Sequence, residues 1–199
     1  MLSSMIAFLV MLNPFALFLY LQPVMQELTQ KDFVKVMLKA TGISYGMYIL
    51  FLLAGNFLFE RIFQIHFESF RIFGGIIIFS FAYLFIIKGE KAFLHMKSTL
   101  DDLASEIALP FMVGAGTISL TILMSQEYRL HIAGIALVIV LSANYLIIML
   151  MKTLREHLHM ESLRVAFDKN MDLLLRLNGF FLGAIGINMV IAGISNIYF

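Results

Sequence analysis

The sequence predicts an all-α membrane protein: six transmembrane helices arranged as two inverted three-helix repeats, with the first and fourth spans broken. Three observations lead there: the spacing of the charges, the lack of two-residue alternation in the apolar runs, and a likeness between the two halves. Hydrophobic residues make up 61% of the 199 residues and charged residues 14%, and mean hydropathy is +0.92. Soluble domains are only about half apolar, so the excess has to face lipid.

Cutting the chain at its charges leaves runs at 1–26, 40–59, 72–87, 107–126, 132–151 and 177–199. A hydrocarbon core of about 30 Å takes roughly 20 helical residues to cross, which gives six spans. Backbone polar groups in lipid are satisfied within a helix or around a closed barrel. Barrel strands alternate apolar and polar residues and these runs do not, so the spans are helices. The first run lacks a basic leader and an Ala-x-Ala-like site, so it is expected to stay in the mature protein.

Lys and Arg divide unevenly between alternate loops. Loops one, three and five hold Lys31, Lys35, Lys39, Lys88, Lys91, Lys97, Lys152, Arg155, Arg164, Lys169 and Arg176, and the other side holds Arg61, Arg71 and Arg129. The positive-inside rule then places both termini outside, on the periplasmic face of a cell inner membrane. The loops at 88–106 and 152–175 are long enough for short amphipathic helices on the cytoplasmic surface.

The halves resemble each other segment by segment. "RIFGGIIIFSFAYLFIIKG" from Arg71 parallels "RLNGFFLGAIGINMVIAGI" from Arg176, both opening Arg-x-x-Gly, and "NPFALF" from Asn13 parallels "LPFMVG" from Leu109. "TGIS" at Thr41 parallels "AGIA" at Ala133 more weakly. The repeats are therefore 1–89 and 107–199, joined by a cytoplasmic linker at 90–106 within one membrane domain. Three helices carry a chain from one side to the other, so the second copy is inverted, as in many secondary transporters.

Both first-of-three spans carry helix breakers. Proline removes a helical hydrogen bond and drives the residue before it out of helical angles, so Asn13-Pro14 marks one break and Pro110 with "GAGTIS", Gly114 to Ser119, marks the other. Irregular backbone at membrane depth survives only where protein or a watery cavity covers it. A half-helix start attracts anions and a half-helix end suits cations, so paired breaks fit a zwitterion such as an amino acid.

No Asp, Glu, Lys or Arg lies within the six runs, which disfavours proton-relay carboxylates, aspartyl proteases and di-metal sites. Cysteine is absent. His157 and His159, two residues apart on a helix, point away from each other, and Gly-x-Ser-x-Gly is missing, so neither metal site, cofactor nor enzyme activity is expected. Arg71 and Arg176 are read as boundary residues with a structural role, and Gly74, Gly75, Gly179, Gly183 and Gly186 as close-packing positions.

Four segments, "NPF" at Asn13, "FRIFGGIIIF" at Phe70, "ALPFMVGAGTIS" at Ala108 and "RLNGFFLGAIGINMVIAGI" at Arg176, together resemble the MarC family of six-span membrane proteins. That resemblance implies a transporter of small neutral amino acids such as glycine and alanine, and, carried over onto the matching positions of this sequence, substrate-binding residues Asn13, Pro14, Pro110, Gly114, Gly116, Thr117 and Ser119. The sequence departs from the family pattern at Ala16 and Leu19, where Gly and Pro are usual, and at Ala115, within what is usually Gly-Pro-Gly. Expected partners are a small zwitterionic or neutral solute, the lipid bilayer, a coupling cation such as H+ or Na+, and copies of the chain in a homo-oligomer; no nucleic acid is expected. A channel for ions or small solutes and a non-transporting membrane scaffold are the alternatives.

Overall fold

The computed structural model describes residues 1–62, 64–89, 104–105 and 107–198. The described residues form seven α-helices and no strand: α1 Leu2–Leu12, α2 Pro14–Glu27, α3 Gln30–Phe57, α4 Phe67–Lys88, α5 Ala115–Glu127, α6 Leu130–His157 and α7 Glu161–Tyr198. One π-helical turn, Leu58–Ile62, prolongs α3, and another, Ile107–Met112, precedes α5. Among the described residues, five stretches are long and apolar enough to cross a bilayer: Leu2–Gln22, Gln30–Gly55, Phe67–Lys88, Leu130–His157 and Glu161–Ile197.

The predicted fourth span is not one continuous helix. It divides into the π turn and the 13-residue α5, which alone extends only about 20 Å. Of the linker at 90–106, all but residues 104–105 lies outside the described residues.

Several helices outrun their charge-free stretches. α3 begins at Gln30, where the Thr29 Oγ1 accepts the Asp32 N–H at 3.3 Å as an N-cap. Its 28 residues measure about 42 Å, more than a hydrocarbon core needs. α7 likewise absorbs residues 161–175, so the separate amphipathic helix expected within 152–175 does not form. The polar ends are held by partners instead. Arg155 donates to Asp168 at 2.8 and 3.0 Å, Gln22 Nε2 donates to the same carboxylate at 3.0 Å, and buried Lys152 bonds Gln30 and Glu156.

Element bounds recur one hundred residues apart: α2 and α5 end at Glu27 and Glu127, and α3 and α6 run Gln30–Phe57 and Leu130–His157. The buried faces follow the same shift, with Phe33, Val36, Met37, Ala40, Ser44 and Tyr48 in α3 matched by Ala133, Ala136, Leu137, Val140, Asn144 and Ile148 in α6. In this register Leu12, which ends α1, corresponds to Met112, which ends the π turn.

α4 and α7 form the largest helix–helix interface. Gly75 faces Gly186, Ala82 faces Gly179 and Glu68 faces Gly193, an opposed order that makes the pair antiparallel. A Cβ on Gly75 would lie 2.5 Å from the Gly186 carbonyl oxygen, and one on Gly186 would lie 2.7 Å from that of Gly75. Only paired glycines let the backbones come this close. The core lies where α1 and α2 pack on α6 and where α3 packs on α5 and the second π turn.

Candidate functional site

Asn13 builds the first break. It adopts left-handed angles, φ 48° and ψ 70°, a conformation asparagine tolerates better than most residues. Its N–H closes α1 on the carbonyls of Leu9 and Val10, both at 3.2 Å. Its Oδ1 accepts the Ala16 N–H at 3.1 Å, capping α2, whose first residue is Pro14. One buried residue thus ends one helix and starts the next. Proline suits the first helical position because its missing N–H would have had no helical partner there. Its absence also removes the usual helical donor to the Val10 carbonyl, and Asn178 of α7 supplies one through Nδ2 at 3.2 Å.

The second segment breaks twice. Leu109, ahead of Pro110, is extended at φ −122° and ψ 121°, as the pre-proline clash requires. The Val113 N–H then bonds the Ala108 carbonyl at 2.8 Å, a five-residue π closure, before Gly114 starts α5. Pro110 therefore lies ahead of the main break, whereas Pro14 lies just after its own. The residue matched with Pro14 by position is Gly114, and the two prolines aligned in the sequence do not take equivalent places. The side chain of Pro110 lies outside the described residues.

Thr117 organises this second break. Its Oγ1 accepts the Gly114 N–H at 3.0 Å, and its hydroxyl lies within bonding distance of the carbonyls of Gly114 and Met112, at 3.0 and 3.1 Å. Tyr48 of α3 donates its hydroxyl to the same Met112 carbonyl. Gly114 itself has φ −115°, open to any residue. Gly116 is needed for space: a Cβ there would lie 2.0 Å from Ile78 Cδ1 and 3.6 Å from Met11 Cε. That contact sets the end of α1 against the start of α5, and a Phe8–Tyr48 ring contact at 5.0 Å joins α1 to the helix that serves the second break.

Four polar atoms in this region are buried with no hydrogen-bond partner: Asn13 Nδ2, Ser119 Oγ, and both Nδ2 and Oδ1 of Asn144. Buried polar atoms are nearly always bonded, so these four are exceptions among the described residues. Asn144 was no more than one neutral polar side chain in a span by sequence, with nothing adjacent to single it out; the hundred-residue register that pairs it with Ser44 is the signal that finds it. At α5 the N–H groups of Ala115, Gly116 and Thr117 have no intrahelical acceptor. At α2 the corresponding set is reduced to Phe15, since Pro14 has no N–H and Ala16 is capped. The second break is thus the stronger anion end.

Other sequence candidates find structural duties. Arg176 bonds Asp172 at 2.8 Å and the Ile86 carbonyl at 2.8 Å, closing the C-terminus of α4. Arg71 pairs with Glu68 at 3.5 Å. A groove of about 300 Å³ between α3 and α6, lined by Tyr45, Leu52, His131 and Val138 among others, lies apart from the breaks and is predominantly apolar.

A bundle of long apolar helices, with two interrupted segments held in its interior by side chains of neighbouring helices, is a multi-pass integral membrane protein. The chain matches the MarC family of integral membrane proteins over residues 1–198, and it belongs to that family. It is 23% identical over 197 residues to a UPF0056 membrane protein of Pyrococcus horikoshii, covering 98% of this chain and 94% of that one. A UPF0056 membrane protein of Aquifex aeolicus is 26% identical over 204 residues, covering 98% and 92%. No solved structure matches the chain.

Proposed function

We propose that this protein is a secondary transporter, not an enzyme, that carries small neutral amino acids such as glycine or alanine, or solutes of like size and polarity, across the cell inner membrane. In this reading the chain has six spans, the broken segment 107–127 supplying the fourth, and two inverted halves that alternate access to a site between them, with both termini on the periplasmic side. The carrying observation is the pair of breaks at Leu12–Pro14 and Met112–Ala115, one hundred residues apart, each served by side chains from other helices. Half-helix starts and ends in the interior offer partial charge to a zwitterion with no ionised side chain among the break residues themselves, which suits a substrate of zero net charge.

Proteoliposomes containing the protein are expected to show saturable uptake of labelled glycine or alanine. A panel of small solutes with no uptake above empty vesicles would falsify the reading. Flux that does not saturate, with single-channel currents, would replace it with a channel.

A further inference from the structure

The ends of the α1–α2 segment are pinned to the two ends of α6. Ser4 Oγ lies 3.2 Å from the Tyr128 hydroxyl, just ahead of α6, and Gln22 meets Arg155, near the end of α6, through the shared Asp168 carboxylate. Asn13 is midway in sequence between Ser4 and Gln22, and Asn144 is within about a turn of the midpoint between Tyr128 and Arg155, so the end contacts set the two asparagines at matching levels along the two segments. α6 packs against both α1 and α2, and Asn144 lies on its buried face with no exposed surface. Yet Asn13 Nδ2 and both amide atoms of Asn144 have no partner, so the two side chains do not bond each other.

The matching place in the first half behaves differently. Ser44 donates to its own helix at Ala40 O, 2.8 Å, and reaches Met112 Sδ at 3.5 Å. A serine satisfies itself on the preceding turn of its helix, whereas Asn144 makes no such bond and keeps an unbonded donor and acceptor on the buried face of α6.

We propose that Asn13 and Asn144 together hold one small polar solute at the first break, Asn13 Nδ2 donating to an acceptor on it and the Asn144 amide both donating and accepting. The solute class is one with an acceptor and an N–H or O–H donor a few bonds apart: an α-amino acid, or a small amide or alcohol. This rests on the reading of the breaks as a binding site and adds the residue that completes it from α6.

The test uses the purified full chain in detergent with glycine, alanine, acetamide, urea and glycerol as probes. Asn144→Leu removes two unbonded polar atoms from the interior, and Asn144→Ser substitutes a group that satisfies itself, so both variants are expected to melt above the wild type. Both should also lose the rise in melting temperature that a bound probe gives the wild type, and uptake of the effective probe should fall roughly ten-fold or more, the worth of about one well-made hydrogen bond. Asn188→Leu, on an exposed face of α7, should keep the probe-induced shift. If no probe shifts the wild type without also shifting both Asn144 variants, the proposal is overturned. A probe shift that depends on Asn144 without any uptake would sink transport and leave the site standing; uptake unchanged in Asn144→Leu would do the reverse.

Discussion

The side-chain amide of Asn178, in the last helix, donates to the backbone carbonyl of Val10, in the first, across 3.2 Å. Pro14 has no N–H to offer that carbonyl, so the bond answers a deficit that the first break creates. Replacing Asn178 with Leu removes it and leaves Val10 with only the Asn13 N–H. A loss of about 1 kcal/mol is expected, read as a lower melting temperature than that of Asn188→Leu.

Asn13 has two separable duties, and a variant series splits them. Asn13→Ala loses the cap on Ala16 and must hold alanine at φ 48°, for a combined cost of about 2–3 kcal/mol. Asn13→Gly is freed from the second cost and should be less damaging. Asn13→Asp keeps the capping oxygen but loses the amide donor, so any solute-dependent shift should weaken more than folding does. Thermal melts with and without solute order the three; a glycine variant less stable than the alanine one would refute this account.

The α4–α7 crossing separates glycines that look alike in sequence. Gly186→Ala forces a Cβ to within 2.7 Å of the Gly75 carbonyl oxygen and 2.9 Å of the Phe79 nitrogen, backbone atoms that cannot step aside, and is expected to cost about 1–3 kcal/mol or more. Gly183→Ala would meet nothing nearer than Ala82 Cβ at 3.6 Å and should change stability by less than about 0.5 kcal/mol. Equal melting temperatures for the two would show that the helices are not this close.

Gly116 is crowded by a movable neighbour, the tip of Ile78. Gly116→Ala is therefore expected to lower stability and uptake modestly, by about 1–2 kcal/mol in the melt, and Ile78→Ala in the same chain should recover part of it. Gly116→Val should abolish uptake while the protein still inserts. No recovery in the double variant would place the role of Gly116 elsewhere.

Much of this architecture was legible because the strongest signals are blunt. Charge spacing located the long apolar helices, Asn13-Pro14 located the first break, and of the glycines read as close-packing positions Gly75, Gly179 and Gly186 prove tight while Gly183 does not. The second break was placed less well. Pro110 is the visible breaker, but its direct effect falls on Leu109; the turn into α5 depends on Gly114 and Thr117, residues that the GAGTIS stretch does bring forward, though not the bond between them. The extensions of α3 and α7 past their charge-free stretches were hidden because charges such as Arg155 and Asp168 look like loop residues until their partners are known. Asn144 could not be distinguished from any other buried amide, since having no partner is a property of the fold.

Tyr48 reaches from the first half to a carbonyl of the second, and Asn178 reaches from the second half to a carbonyl of the first. A ribosome delivers the chain from its N-terminus, so Tyr48 is already in the membrane when Met112 arrives, whereas Val10 waits for nearly the whole polypeptide before its second donor is made. Severed between residues 90 and 106 and produced alone, each piece would keep a local donor to its carbonyl, from the Asn13 N–H or the Thr117 hydroxyl, but would lose the one that the other piece supplies. Each piece thus completes a break that lies in the other.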